Sequence, residues 1–108
     1  MMSSINEVNG DELHSMITND DVVLVDVRSH AEVAQGAIPG ASHLPLHLLP
    51  LQLNQLPRDK KVVFYCRTGA RSAQACLYAA NQGSENVINL RGGIVAWLRE
   101  GRDVAKSA

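Results

Sequence analysis

Two runs of consecutive apolar residues, VVLV at 22–25 and VVFY at 62–65, constrain the fold of this chain most strongly. A strand with apolar side chains on both faces is covered on both faces, as the inner strands of a parallel sheet are. Shorter candidate strands lie at 5–8, 42–44 and 87–90, and stretches of helical character separate them. This alternation predicts an α/β fold with a mostly parallel sheet.

The segments between these strands carry helix signals. Ser29 and Glu32 have the spacing of a capping box, in which each side chain binds a backbone N–H at the helix start. Six leucines crowd residues 46–56, and Pro50 favours a helix that begins near it and ends before Pro57. This segment is interpreted as core-facing, with docking of another protein by a leftover apolar patch as the alternative. The other helices are expected near 11–17, from the loop after residue 66 to Gly83, and from 94 to Gly101, followed by a tail at 106–108 that frays.

The composition is that of an ordinary globular protein of one domain, residues 1–108, with 45% hydrophobic and 19% charged residues. The formal net charge is −1 and no lysine or arginine run occurs, so no field attracts nucleic acid or an anionic membrane. The apolar runs are far shorter than the roughly 20 residues that span a bilayer. Residues 1–7 lack the basic start and apolar stretch of a signal peptide. We therefore expect a cytoplasmic protein, monomeric at this size, with neither nucleic acid nor membrane as a partner.

Cys66 and Cys76 are the two cysteines, and their spacing fits neither a Cys-x-x-Cys redox pair nor a zinc site. Cys76 lies in an apolar helical run and is interpreted as a small core residue; the alternative is a resolving thiol that attacks a persulfide on Cys66. The four histidines form no ligand motif, since Pro45 separates the pair at helical spacing, His43 and His47. No metal or organic cofactor is expected.

Cys66 directly follows the apolar run at 62–65 and precedes a helical stretch, which places it at a strand–loop–helix junction. The first N–H groups of such a helix are unpaired and point toward the carboxyl edge of the sheet. These donors, the helix dipole and two nearby arginines favour a negative charge, so the pKa of the Cys66 thiol is expected below the ~8.5 of free cysteine. Cys66 is therefore the candidate nucleophile, and an ionised thiolate needs no general base.

The residues after Cys66 have the composition of an anion-binding loop. Gly69 lets the backbone curl until several N–H groups converge on one point. Arg67 and Arg71 carry permanent charge in planar forks suited to oxyanions such as thiosulfate, phosphate or arsenate. The loop predicts covalent catalysis in two half-reactions, in which the thiolate attacks a donor and an acceptor then discharges the intermediate. The candidate substrate-binding residues are Arg67, Thr68, Gly69, Ala70, Arg71 and Ser72.

With these segments in place, the chain resembles a single-domain rhodanese over nearly its whole length. The similar segments are DVR at 26–28 with Glu32, GAIPGA at 36–41, CRTGARS at 66–72, and GG at 92–93 with Trp97. Ala37 stands where the family commonly has histidine, at a turn position. The resemblance implies a parallel five-stranded sheet with helices on both faces, and a persulfide carried by Cys66.

Loop length distinguishes the related chemistries. In rhodaneses the active loop has six residues with cysteine first, whereas related phosphatases close a seven-residue loop as Cys-x5-Arg. Here Cys66 to Arg71 is Cys-x4-Arg, and Ser72 occupies the Cys-x5-Arg position. The resemblance therefore implies a thiosulfate-type sulfurtransferase, with thiosulfate, glutathione persulfide or a polysulfide as donor and a thiol or cyanide as acceptor. A module relaying sulfur to a specific carrier protein is the alternative, and a cysteine phosphatase or arsenate reductase is less favoured.

Other residues near the loop receive structural interpretations. Arg28 and Glu32 have helix-start spacing, which favours a local salt bridge over catalysis, and Asp26 is likewise kept outside the catalytic set. Arg71 is expected to be the more important loop arginine because it lies nearer the helix start; the alternative has one of the two pairing with a carboxylate. Trp97 is interpreted as a packing anchor.

Overall fold

The computed structural model describes residues 5–106, and its centre is a five-stranded sheet in which all neighbouring strands are parallel. The strands are β1 (Asn6–Val8), β2 (Val22–Asp26), β3 (Ser42–His43), β4 (Lys61–Tyr65) and β5 (Val87–Leu90). Their order across the sheet is β1-β5-β4-β2-β3, so the two apolar runs are inner strands. The predicted parallel five-stranded sheet is confirmed.

The described helices are α1 (Gly10–Thr18), α2 (His30–Ala34), α3 (Leu49–Gln52), α4 (Ala70–Asn81) and α5 (Gly93–Arg99). The predicted capping box of α2 is present: the Glu32 N–H donates to Ser29 Oγ at 3.2 Å, and the Ser29 N–H donates to Glu32 Oε1 at 3.1 Å. Asn9 and Glu12 form a second capping box at α1, which the sequence analysis missed. Across residues 5–106, no helix combines the length and the apolar character that crossing a membrane requires.

The sheet separates two apolar cores, because successive side chains of a strand point to opposite faces. Val25 and Phe64 belong to the core that α3 and α4 cover. Leu24 and Tyr65 belong to the opposite core, which α1 and α5 cover. Trp97 of α5 is 4% exposed and packs within this second core, so its predicted role is confirmed. Helices therefore flank both faces, as expected.

The leucine-rich segment departs from the single helix predicted between Pro50 and Pro57. It consists of a 3-10 turn (Leu46–Leu48), the short α3, and a second 3-10 turn (Leu53–Gln55). Pro50 lies in the first turn of α3, as predicted, but Gln52 leaves the helical region of backbone angles at φ −123° and ends the α-helical part. Most of these leucines pack against the α4 core, which confirms the core-facing interpretation, while Leu51 is 75% exposed.

The chain after α5 folds back onto the molecule. The indole Nε1–H of Trp97 donates to the Asp103 carbonyl at 2.9 Å, and Ala105 forms an antiparallel bridge with Ala37. Of the tail predicted to fray, residues 107 and 108 lie outside the described residues.

The start of α5 lies directly against the loop that follows β4. The Ile94 N–H donates to the Cys66 carbonyl at 3.0 Å, and the Val95 N–H donates to the Arg67 carbonyl at 3.1 Å. Gly93 allows this approach, because a Cβ at this position would overlap the Arg67 and Cys66 carbonyl groups. Its φ of +59° is also a conformation that side chains disfavour. The fold thus needs glycine at this position for both space and backbone angle.

Gly93→Ala is expected to lower the free energy of unfolding by about 2–5 kcal/mol, because it combines a left-handed backbone with a backbone clash. Gly101→Ala is the matched control, since Gly101 has φ +84° but open space around an added Cβ. It bears the backbone cost alone, about 1–2 kcal/mol. Urea denaturation measures the free energy of unfolding of both variants. Equal losses of this free energy in the two variants would show that Gly93 does not contact the loop tightly.

Candidate active site

Cys66 lies at the carboxyl end of β4, where its side chain is almost fully buried beneath the following loop. The Gly69 N–H donates to Cys66 Sγ at 3.1 Å, and the Ser72 hydroxyl donates to it at 3.4 Å. The sulfur is therefore held between the middle of the loop and the first turn of α4. This is the strand–loop–helix junction that the sequence predicts.

Three carbonyl groups of the loop, those of Cys66, Arg67 and Gly69, accept hydrogen bonds from the helices α5 and α4, while N–H groups of the loop interact with the sulfur. Residues 94 and 95 hold the carbonyls of Cys66 and Arg67, and the Ala73 N–H donates to the Gly69 carbonyl at 3.0 Å. A planar trans peptide directs its C=O and its N–H to opposite sides. Gly69 makes the turn at φ +113°, in the left-handed region.

Two opposing effects act on the Cys66 thiol. Burial raises its pKa, because a buried thiolate loses hydration. The Ser72 hydroxyl and the backbone N–H groups of Ser72, Gly69 and Thr68 stabilise the thiolate by hydrogen bonds, and these lower the pKa. The hydrogen bonds prevail, so the pKa of Cys66 lies below the ordinary value of a thiol, which confirms the sequence prediction. The thiolate is the nucleophilic form of cysteine.

The two loop arginines have different surroundings. Arg71 forms a two-pronged ion pair with Glu32, at 2.6 Å from Nη1 to Oε1 and 2.8 Å from Nη2 to Oε2. Hydrogen bonding to Arg71 lowers the pKa of the Glu32 carboxyl to about 2 and raises that of Arg71. Arg67 is exposed, and within residues 5–106 its guanidinium forms no salt bridge. One arginine thus pairs with a carboxylate, as the alternative interpretation held.

The remaining loop residues surround the sulfur as the sequence places them. Thr68 and Ala70 are exposed, Gly69 is half-buried, and Ser72 is buried with its hydroxyl on the sulfur. All six candidate residues therefore lie in one continuous curve of backbone from the strand end to the helix start. Ser72, named among the candidate substrate-binding residues, directs its buried hydroxyl to the thiol.

The expected salt bridge between Arg28 and Glu32 is wrong. Arg28 instead pairs with Asp26, with Nη2 to Oδ2 at 2.7 Å and Nε to Oδ1 at 3.0 Å, and both side chains are buried. The Arg28 Nη2 also donates to the Gly36 carbonyl at 2.7 Å. Glu32 offers Arg28 its backbone carbonyl at 3.5 Å, because its carboxylate is held by Arg71. The structural role given to Asp26 and Arg28 agrees with this geometry.

Cys76 lies on α4 and is fully buried in the core beneath that helix. Burial, and secondarily the charge of Glu7, raises the pKa of its thiol to about 12. Both Cys66 and Cys76 are free thiols. This environment favours the core interpretation of Cys76 over a resolving thiol. In the described part of the chain, no group of three or more histidine, cysteine or acidic side chains is placed to hold a metal ion.

A cleft of about 410 Å³ lies beside the loop and was missed by the sequence analysis. Val27, Pro45 and Leu46 form its apolar side, and Arg71 lies where it meets the loop. The exposed side chains of His30 and His47 also line it. The cleft joins the segment after β2 to the segment after β3, a contact that only the folded sheet creates.

The comparisons with known proteins agree with this geometry. The profile of the Rhodanese-like domain matches residues 9–100. A sulfurtransferase of Allochromatium vinosum is 51% identical over 98 residues, which cover 90% of this chain and 92% of that protein. A rhodanese-related protein of Thermoplasma volcanium has a crystal structure with a TM-score of 0.87 at 30% identity, covering 94% of this chain and 99% of that one. A tRNA uridine(34) hydroxylase of Erwinia tasmaniensis is 33% identical over 85% of this chain, which spans only 28% of that enzyme. The chain therefore belongs to the rhodanese-like family and is of its sulfurtransferase type.

Proposed function

We propose that this protein transfers sulfane sulfur from thiosulfate, or from a related donor such as glutathione persulfide or a polysulfide, to a thiol or cyanide. The observation that carries the proposal is the Cys66 sulfur, held by the Gly69 N–H and the Ser72 hydroxyl within a six-residue loop. These donors stabilise a thiolate, which attacks the outer sulfur of the donor.

The proposed reaction has two balanced half-reactions. The Cys66 thiolate forms a bond to the outer sulfur of thiosulfate, the S–S bond of thiosulfate breaks, and sulfite leaves with the bonding electron pair. Cyanide then takes the outer sulfur of the Cys66 persulfide, leaves as thiocyanate, and returns the thiolate. Each step moves one sulfur atom and consumes no proton. No metal or organic cofactor is needed for either step.

The loop supplies the charge stabilisation that both steps require. A persulfide carries its negative charge on the outer sulfur, and the N–H groups of Thr68, Gly69 and Ser72, which stabilise the Cys66 thiolate, are the donors proposed to bind it. Arg67 is the exposed positive group available to an incoming dianion. Arg71 adds positive potential near the thiol while Glu32 holds its guanidinium in place.

The first test is the mass of the intact protein after incubation with thiosulfate. The wild-type chain is expected to gain one sulfur atom, Cys66→Ser to gain none, and Cys76→Ser to gain one as the wild type does. Cys76→Ser is the matched control because it removes a buried thiol outside the loop. A sulfur gain that survives Cys66→Ser would refute the assignment of Cys66 as carrier.

Ser72→Ala is expected to raise the pKa of the Cys66 thiol by about one to two units, because a hydrogen bond to a charged group contributes about 1.5–3 kcal/mol. The pKa of the Cys66 thiol is lowered in the folded protein, so the thiolate is lost as pH falls through that pKa. In the variant this loss begins at a higher pH. The pH midpoint of the rate of alkylation by iodoacetamide measures the pKa. Thr68→Val, which alters an exposed side chain and keeps the amide, should leave the midpoint in place. An unshifted midpoint in Ser72→Ala would exclude the hydroxyl as a thiolate donor.

The alternative proposal is a relay that passes sulfur to a specific carrier protein. The apolar-sided cleft beside the loop favours it, since it offers a partner apolar contact next to Arg71, and the exposed Leu51 is a further apolar side chain open to a partner. Discharge of the Cys66 persulfide is compared between small thiols and candidate carrier proteins. A carrier that reacts much faster supports the relay, and small thiols that react as fast as any protein count against it.

A phosphatase or arsenate reductase remains the less favoured reading of the site. The Cys-x5-Arg position holds Ser72, whose side chain is buried on the sulfur and offers no charge to a phosphoryl group. Release of phosphate from an aryl phosphate, or reduction of arsenate, would favour it over sulfur transfer.

The setting of the activity is proposed as well. We propose one rhodanese domain that acts as a monomer, without nucleic acid or membrane partners. Its two free cysteines are typical of a reducing compartment, and this favours the cytoplasm.

A further inference from the structure

Asn89 is a polar residue at a buried strand position and takes no part in the chemistry described above. It lies on β5 and is 2% exposed, among the residues of the sheet interior. Within residues 5–106, its Oδ1 is the one buried side-chain oxygen or nitrogen that lacks a hydrogen-bond partner. Burying an unpaired polar atom is costly, and an apolar residue of similar size would avoid that cost. The fold alone therefore gives no reason for asparagine here.

The other half of the side chain reaches the active loop. Asn89 Nδ2 donates to the Gly69 carbonyl at 3.3 Å and to Glu7 Oε2 at 3.2 Å. Gly69 is the residue whose N–H donates to the Cys66 sulfur at 3.1 Å. One residue of the loop thus binds the sulfur with its N–H and Asn89 with its carbonyl.

We propose that Asn89 is a positioning residue for the thiolate, acting through the Gly69 carbonyl; the proposal rests on the function proposed for Cys66. Gly69 has φ +113° and no side chain, so its backbone turns more freely than that of other residues. The Gly69 carbonyl accepts from the Ala73 N–H at 3.0 Å, and the Asn89 amide is the second donor, which lies on the β5 side. The Gly69 C=O and the Ala70 N–H belong to one peptide group, and in a trans peptide these two bonds point in opposite directions. The bond to Asn89 therefore also directs the Ala70 N–H, the first of α4, away from β5. The contact thus contributes, beside the Ala73 bond, to the orientation of the Gly69 and Ala70 N–H groups.

The Glu7 contact is the competing explanation, since Asn89 also links β5 to β1 through it. Glu7 additionally accepts from Arg91 Nε at 3.3 Å, at a half-exposed position. If Asn89 served only to join these strands, then removal of Glu7 would have the same effect as removal of Asn89. Glu7→Ala is therefore the matched control, because it deletes that link and leaves the Gly69 contact intact.

The experiment measures the alkylation rate of Cys66 against pH, persulfide formation from thiosulfate, and the urea denaturation midpoint. Asn89→Leu removes the amide at similar size and is expected to fold with equal or higher stability. Its alkylation midpoint should rise by about 0.5–1 pH units, and its rate of persulfide formation should fall about tenfold, as loss of one hydrogen bond in the loop implies. Glu7→Ala should show neither change.

The outcomes separate the possibilities. An Asn89→Leu protein whose alkylation midpoint lies within about 0.3 pH units of wild type, and whose rate of persulfide formation lies within about twofold, would overturn the proposal. Equal losses in Glu7→Ala and Asn89→Leu would assign the effect to strand pairing and overturn it too. If Asn89→Leu fails to fold, Asn89→Ala removes the amide without adding volume and is judged by the same readouts. Alkylation requires no sulfur donor, so absence of persulfide in the wild type would refute the proposed function while the pH profile still tests Asn89.

Discussion

The contact between the first turn of α5 and the loop after β4 is the constraint on which the site depends. A loop can present its N–H groups to a buried sulfur only if its carbonyl groups are satisfied elsewhere. Two amides of α5 satisfy the carbonyls of Cys66 and Arg67, at 3.0 Å and 3.1 Å. The approach is close enough that Gly93 has no room for a side chain. The last helix of the chain thus completes the loop that begins at the end of β4.

A second long-range contact controls the charge beside the loop. Glu32 caps α2 and also binds both outer nitrogens of Arg71. The pKa of Glu32 is lowered to about 2 from an ordinary 4.5, so its contribution to stability is fully present above pH 4.5 and is lost as pH falls through 2. Across the neutral range, the pair fixes the guanidinium and offsets its charge. Arg67 is then the loop arginine whose charge faces solvent without a partner in the described chain.

Local sequence patterns predict the parts of this structure that local physics determines. The apolar runs place the inner strands, the Ser29–Glu32 spacing places a helix start, and the order of residues 66–72 places the thiol at a helix N-terminus. The partners of Arg28 and Arg71 were beyond this reasoning. Both carboxylates lie near Arg28 in sequence, and only the packing of α2 against the loop assigns Glu32 to Arg71. The contact of Asn89 with the Gly69 carbonyl likewise depends on β5 lying beside β4, which no spacing in the chain reveals.

The two cysteines of the chain show what the loop contributes. Both thiols are buried, at 1% and 0% exposure, and burial raises the pKa of each. Cys76 has nothing to offset burial, and its pKa rises to about 12. Cys66 has almost the same exposure, yet its pKa falls below the ordinary value, because the Ser72 hydroxyl and backbone N–H groups of the loop stabilise its thiolate. The lowered pKa of Cys66 therefore comes from the direction of a few backbone N–H groups and one hydroxyl, and not from access to water.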